Sequence, residues 1–276
     1  MLKMKDFGFS VLCSLYYKES PIALRESLDS LFSQTLMPNE IVIVKDGPLT
    51  DELDKVLDEY VGKYDIIKIV PLEKNGGLGA ALNEGMKHCS YELIARMDTD
   101  DIAKENRFEK QISKFKESPE LDLVSAWIDE FDGDISNVTS IRKLPENHDE
   151  IFIHGKDRCP VNHPVVMFKK SAVIAAGGYK HFHLFEDYYL WVRMLVNDAR
   201  FYNIQESLLY FRLSPDMFQR RGGLKYARSE AKLEKAMYDL GYISFIKMSY
   251  NVIVRFIVRV MPNGLREWVY KHVVRS

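Results

Sequence analysis

Along the first hundred residues, short apolar runs alternate with amphipathic stretches. Phe9-Ser10-Val11-Leu12-Cys13-Ser14-Leu15-Tyr16 is too short an apolar run for a helix and predicts a buried first strand. Pro21 opens a helix at its first turn, with Leu24, Leu28, Leu31 and Phe32 as its apolar stripe. Ile41-Val42-Ile43-Val44 predicts a second strand, ending in the turn Lys45-Asp46-Gly47-Pro48. Leu53, Val56, Leu57 and Tyr60 mark the inward face of the next helix, and residues 66–70 predict the third strand. Asn75-Gly76-Gly77-Leu78-Gly79 leads into a helix over 80–88, and residues 92–96 predict a fourth strand. This alternation with short links predicts an α/β fold, its sheet largely parallel and covered on both faces.

Further on, the spacing predicts a helix over 106–116 with Phe108, Ile112 and Phe115 inward, and a strand over 121–128. Residues 129–147 are polar and contain glycine, which suits a loop or hairpin. A short strand follows over 165–168, Gly177-Gly178-Tyr179 ends a helix, and residues 185–195 form another amphipathic helix. Near the end, Ser244, Lys247, Asn251, Arg255 and Arg259 recur three or four apart as one narrow polar stripe in an otherwise apolar stretch.

Composition narrows the class. At 276 residues the chain can hold one large α/β domain with an appendage. A formal charge of −2 gives no sign of a nucleic-acid binder. Cys13, Cys89 and Cys159 are odd in number and far apart, with neither zinc spacing nor a disulfide framework, which favours a reducing cytosol. Met1-Leu2-Lys3-Met4-Lys5-Asp6 lacks the apolar stretch of a signal peptide.

The candidate chemistry centres on Asp98, Asp100 and Asp101, which follow the fourth strand. On an extended backbone Asp98 and Asp100 share a face, and two oxygen ligands there suit Mg²⁺ or Mn²⁺. With 40 acids in 276 residues, about six acid-x-acid pairs arise by chance, so a solvated acidic turn stays open from this spacing alone. Placement favours the metal: Asp46, the glycine turn and the acidic cluster all fall at the carboxyl ends of the strands, where such sheets bind ligands. The glycine turn resembles a dinucleotide fingerprint, but its Gly77-x-Gly79-x-x-Leu82 pattern puts leucine where the helix must approach the strand. It suits a nucleotide-approaching turn that also starts a helix. Glu186 and Asp187, opening the helix at 185–195, are either capping charges or a base held on a rigid element. His163 beside Pro164 is either structural or a substrate contact, and Trp191, one turn after Asp187, suits the core better than an acceptor platform.

The order of these motifs resembles inverting family-two glycosyltransferases of the GT-A fold, in particular bacterial enzymes of surface polysaccharide (O-antigen, capsule or exopolysaccharide) synthesis. The resembling residues are Lys45-Asp46-Gly47, residues 75–83, Asp98-Thr99-Asp100-Asp101, Arg107-Phe108-Glu109-Lys110-Gln111, His163-Pro164, Gly177-Gly178-Tyr179 and residues 186–191, within roughly 8–215. Tyr16-Tyr17-Lys18 departs from the Tyr-Asn turn frequent in that family. The resemblance implies a GT-A domain over 1–215; the tail's own pattern predicts a helical, basic amphipathic, membrane-associating extension over 216–276. It implies transfer of a hexose from a nucleotide-diphosphate sugar, UDP-linked, to a lipid-diphosphate-linked saccharide. A divalent cation (Mn²⁺ or Mg²⁺) would sit on Asp100, with Asp98 toward either the metal or the ribose and Asp101 on donor sugar hydroxyls. Asp46 would meet the base, with the turn at Asn75 and Gly79 nearby. Asp187 would be the catalytic base, Glu186 supporting it or exchanging roles. Arg212, with Arg220 and Arg221, either closes over the diphosphate or forms a solvated basic turn.

Residues 242–276 carry six Lys/Arg against one acid, which suits a helix lying in an anionic membrane interface. The alternative is packing on the catalytic domain or in a homodimer. A cytoplasmic protein held peripherally at the inner face of the cell membrane follows from the first reading. Two other classes are weighed: a non-catalytic nucleotide-sugar-binding scaffold, disfavoured because the acidic cluster and Glu186-Asp187 occur together, and a nucleotidyltransferase. The latter resembles chains with a basic Gly-rich loop after the first strand, where Tyr16-Tyr17-Lys18-Glu19-Ser20 stands here.

Overall fold

The structure, a computed structural model, describes residues 7–214 and 223–260, with side chains through Phe256. Its first half is a parallel sheet: β1 (Phe9–Leu15), β2 (Glu40–Lys45), β3 (Ile67–Pro71) and β4 (Leu93–Asp98), linked by α1 (Pro21–Phe32), α2 (Asp51–Lys63) and α3 (Leu78–His88). Ser20 Oγ accepts the Ala23 amide at 3.4 Å to cap α1, and Thr50 caps α2 ahead of Asp51, Glu52 and Asp54, acids that complement the helix dipole.

The second half adds β5 (Ile102–Ala103), α4 (Arg107–Glu117), β6 (Leu123–Phe131), β7 (Val138–Arg142), α5 (His148–His154), β8 (Met167–Lys169), α6 (Lys170–Ala175), α7 (Glu186–Val196) and β9 (Phe201–Arg212). The sheet runs β3-β2-β1-β4-β8-β6-β9-β5, with β7 paired to β6. It is therefore mixed rather than largely parallel, because β8 lies antiparallel between β4 and β6.

Three predicted boundaries move. β4 continues past Arg96 to Asp98, since pairing with β1 persists to the Ser14–Asp98 register. The 129–147 stretch is a hairpin, in which β6 runs on to Phe131 and returns as β7. Residues His163–Val165 form a 3-10 turn, which leaves only Met167–Lys169 as strand. β9 has no counterpart in the periodicity: its pairing with β6 slips register around Trp127, and its Gln205 and Glu206 are not buried.

Side-chain alternation along the strands divides the core. Val11, Cys13 and Leu15 face α1, α2 and α4, while Leu12, Val42 and Val44 face α3 and α7. On that second side sit α8 (Gly223–Asp239) and α9 (Phe245–Val260), with Leu233 and Met237 in the same core. Arg255 lies between Glu230 Oε1 at 3.2 Å and Glu234 Oε1 at 3.1 Å, so it anchors α9 to α8 rather than reaching out toward lipid, as the basic tail suggested. The Arg259 side chain, Arg266, Lys271 and Arg275 lie outside the described residues.

Gly85 packs α3 on the sheet. A Cβ there would stand 2.4 Å from Leu12 Cδ1 and 2.7 Å from Val44 Cγ2, both on buried strands. Gly85→Ala should therefore lower stability by about 1–3 kcal/mol, the usual cost of overpacking, seen as a lower denaturation midpoint at unchanged slope.

Candidate active site

Alternation along β4 turns Ile94, Arg96 and Asp98 to the α7 side of the sheet, and the chain then turns sharply through Thr99, Asp100 and Asp101. Oxygens of Asp98, Asp100 and Asp101 all lie within 4.8 Å of one another. So many like charges need cations beneath them, and guanidinium groups supply these. Arg96, buried one residue pair below, contacts Asp98 Oδ1 through Nη2, while its Nε and Nη1 have no hydrogen-bond partner among the described residues. Arg107, buried at the start of α4, donates from Nη2 to the Arg96 carbonyl at 2.6 Å. Burial and the neighbouring Arg96 push its pKa down to about 9. Arg212, the last residue of β9, donates its amide to Asp101 Oδ1 at 2.9 Å and its Nε to the Asp100 carbonyl at 2.8 Å. Its guanidinium also stacks 4.6 Å from the Phe131 ring centroid. Arg212 thus braces the acidic turn, and Arg220 and Arg221 lie outside the described residues.

The cluster holds protons tightly. Burial, then the charges of Asp98 and Glu19, raise Asp100 to about pKa 7. Asp101, fully buried, is pushed up by burial and then by Asp100. Its Oδ2 is buried without a partner among the described residues. Three carboxylates and an orphaned buried oxygen, grouped at a spacing close to the ~4.2 Å across an octahedral Mg²⁺ shell, fit a hard divalent cation. Glu19, between β1 and α1, faces the same cluster: burial raises its pKa and the Asp98 charge raises it further. Sequence patterning gave Glu19 no weight, although it follows β1 at the same carboxyl edge.

Asp46, expected at the nucleoside base, is buried beneath the glycine turn. Its Oδ1 accepts the Gly76 amide at 2.7 Å and its Oδ2 the Gly77 amide at 3.1 Å. Asn75 Nδ2 returns to the Asp46 carbonyl at 3.1 Å. Gly47 makes this closeness possible: φ is +85°, and a Cβ would sit 2.7 Å from the Asn75 nitrogen. Gly79 is buried against the start of α7, where a Cβ would stand 3.6 Å from Glu186 Cγ and 3.3 Å from Tyr179 Cβ. The turn and the Glu186-Asp187 pair are therefore neighbours.

Tyr179 ties these parts together. Asn83 grips its backbone twice, accepting its amide at 2.9 Å and donating to its carbonyl at 2.7 Å. Its buried hydroxyl is 2.9 Å from His163 Nε2. Burial raises the Tyr179 pKa, Arg96 opposes that rise, and Asp187 and Asp98 add to it. Burial also raises Glu186, with Asp187 adding to it, and His181 Nδ1 stands 3.9 Å from its Oε1. His163 and Trp191 are buried in the aromatic cluster below, their ring centroids 5.8 Å apart.

The family model for glycosyl transferase family 2 matches residues 13–174. The chain belongs to glycosyl transferase family 2. This glycosyltransferase is 41% identical over 267 residues to the Escherichia coli UDP-Gal:alpha-D-GlcNAc-diphosphoundecaprenol beta-1,3-galactosyltransferase, covering 97% of this chain and 96% of that one. It is 39% identical to the amylovoran biosynthesis glycosyltransferase AmsE of Erwinia amylovora, covering 95% and 98% of the two chains. The crystal structure of Staphylococcus aureus TarS residues 1–349 in complex with UDP-GlcNAc superposes with a TM-score of 0.64 at 17% identity, covering 92% of this chain and 72% of that one. That likeness shows a shared GT-A fold.

The raised pKa values of Asp100 and Asp101 fix the sign of a pH effect in this family-2 enzyme. Their carboxyls bind protons more tightly folded than unfolded, so without metal the Asp100 contribution to stability is lost as pH rises from about 4 through about 7, and the Asp101 contribution changes in the same direction. The melting temperature of chelated protein should fall across that window. Mn²⁺ should raise it far more at about pH 8 than at about pH 5, and Asp100→Asn should flatten both responses.

Proposed function

We propose that this glycosyltransferase moves a hexose from a UDP-sugar to a lipid-diphosphate-linked saccharide, with inversion, in surface polysaccharide synthesis at the inner face of the cell membrane. The observation that carries the reading is the metal-fitting acidic cluster ending β4, with Glu186 at the start of α7 packed against the Gly79 turn. The donor and acceptor named in the E. coli relative support the substrate classes.

In this reading Asp98 and Asp100 would hold the divalent cation, and Asp101, buried beside them and held by the Arg212 amide, shapes the acidic turn rather than reaching the donor sugar hydroxyls. The cation, when bound, supplies positive charge for the departing diphosphate. Asp46 fixes the nucleoside through the Asn75–Gly79 turn that it clamps. Asp187 takes the proton from the acceptor hydroxyl; that oxygen forms the new bond to the anomeric carbon as the bond to the diphosphate breaks. Glu186, packed against Gly79, positions the start of α7. Arg212 keeps the acidic turn closed. The extension over 216–276 keeps the enzyme at the membrane, where a lipid-anchored acceptor is held.

Asp187→Asn keeps shape and helix start but removes the base. Transfer should fall roughly 10²–10⁴-fold, as for loss of a general base, while donor binding by calorimetry stays at the wild-type level. Unchanged turnover would move the role to Glu186 or elsewhere. Asp100→Ala should retain the fold but lose both metal-dependent transfer and metal-dependent UDP binding. Activity of the wild type that survives chelation would refute the cation assignment.

A further inference from the structure

α9 is inside out for a surface helix, which normally turns its polar face to water. Asn251 Nδ2 is turned inward, donating to Glu234 Oε2 at 3.0 Å and to the Lys156 carbonyl at 3.2 Å. Arg255 joins Glu230 and Glu234 and donates to the Asp157 carbonyl, and Lys247 pairs with Asp157 at 2.5 Å. The outward positions are apolar: Phe245 is 61% exposed, Ile246 81%, Tyr250 62% and Ile253 59%. Val254 and Phe256 extend this face, and exposed Tyr238 of α8 meets Phe245 edge-on. At ~100° per residue these α9 positions cover about half of the helix circumference, an exposed apolar patch too continuous for chance scatter.

Among the described residues, no helix is long and apolar enough to cross a membrane. The chain that follows α9, residues 261–276, carries Arg266, Lys271 and Arg275 against Glu267. An apolar helix face followed by net positive charge is complementary to an anionic bilayer surface. The platform also connects to the catalytic carboxylates. Ser229 Oγ of α8 donates to the His183 carbonyl at 2.6 Å, and Tyr226 packs 5.1 Å from the Phe185 ring, directly before Glu186.

We propose that the outward face of α9 is the surface on which the enzyme lies on an anionic bilayer, with Phe245, Ile246, Tyr250 and Ile253 entering the interface. This rests on the lipid-linked acceptor reading and adds the docking surface and its orientation. Asn251 and Arg255 do not touch lipid; they hold the helix so that its apolar side faces out. Attachment is then mainly hydrophobic, and salt weakens it only in part.

The test uses full-length protein and sedimentation with vesicles of phosphatidylglycerol and phosphatidylethanolamine. Wild type should co-sediment, and Ile246→Glu combined with Ile253→Glu should weaken binding about tenfold or more, since two apolar side chains lose their burial. Both residues are exposed, so melting temperature and transfer to a short, soluble acceptor analogue should remain at wild-type values. A wild type that ignores the vesicles, or a double variant that binds them as wild type does, overturns the proposal. So does a double variant that turns a dimer into a monomer by equilibrium sedimentation without altering vesicle binding, which assigns the face to a second copy. Failure of wild type to use any lipid-diphosphate saccharide or its soluble analogue would refute the acceptor reading instead, whatever the vesicles show.

Discussion

Crowding of like charge at the end of one buried strand is the constraint on which the rest of this structure depends. Asp98, Asp100 and Asp101 stand closer together than three ionised carboxylates tolerate without compensation. Compensation arrives from three separate elements: Arg96 from β4 itself, Arg107 from α4 and Arg212 from β9. The start of α4 and the end of β9 are thereby fixed relative to the acidic turn. Even so, protonation is favoured at the centre, which leaves the cluster short of positive charge in the way a cation-binding site should be.

A second rigid connection carries that order across the sheet to α7. Asn83 holds Tyr179, Tyr179 meets His163, and Trp191 packs beneath both. None of these side chains needs to touch substrate to matter. They join α3, the chain before α7 and the 3-10 turn at His163–Val165 into one network, and the Arg96 amide, donating to the Val166 carbonyl at 2.9 Å, ties that turn to β4.

How much of this was legible in the sequence depended on whether a residue's surroundings were local. The first four strands and their helices followed from periodicity, because each buries one face on neighbours close in sequence. The acidic cluster and Glu186-Asp187 were legible for a similar reason: each is contiguous and sits at an element end. Long-range partners were not. The sequence leaves Arg212 either over the diphosphate or in a solvated basic turn, and names neither of its partners in the acidic turn, which lie more than a hundred positions earlier. Arg255 was expected to attract lipid, yet its partners Glu230 and Glu234 lie a helix away, and nothing in the polar stripe says which side of α9 faces inward. Glu19 belongs to no motif and becomes interesting only once β1 is paired beside β4. β9 eluded the pattern because its register slips twice against β6.

The clamp on Asp46 bears on where a diphosphate can find its counter-charge. In dinucleotide-binding folds, the backbone amides leading into the helix after a glycine turn face the pyrophosphate. Here the Gly76 and Gly77 amides are already donated to a carboxylate, so the two amides that lead into α3 are held inside the protein before any ligand arrives, and only the uncapped first turn of the helix still faces outward. An anion approaching α3 would meet a turn rigid in shape, with two fewer amides to offer than a glycine turn without such a clamp. Two folds that look alike in a run of glycines thus separate at a single side chain on the neighbouring strand.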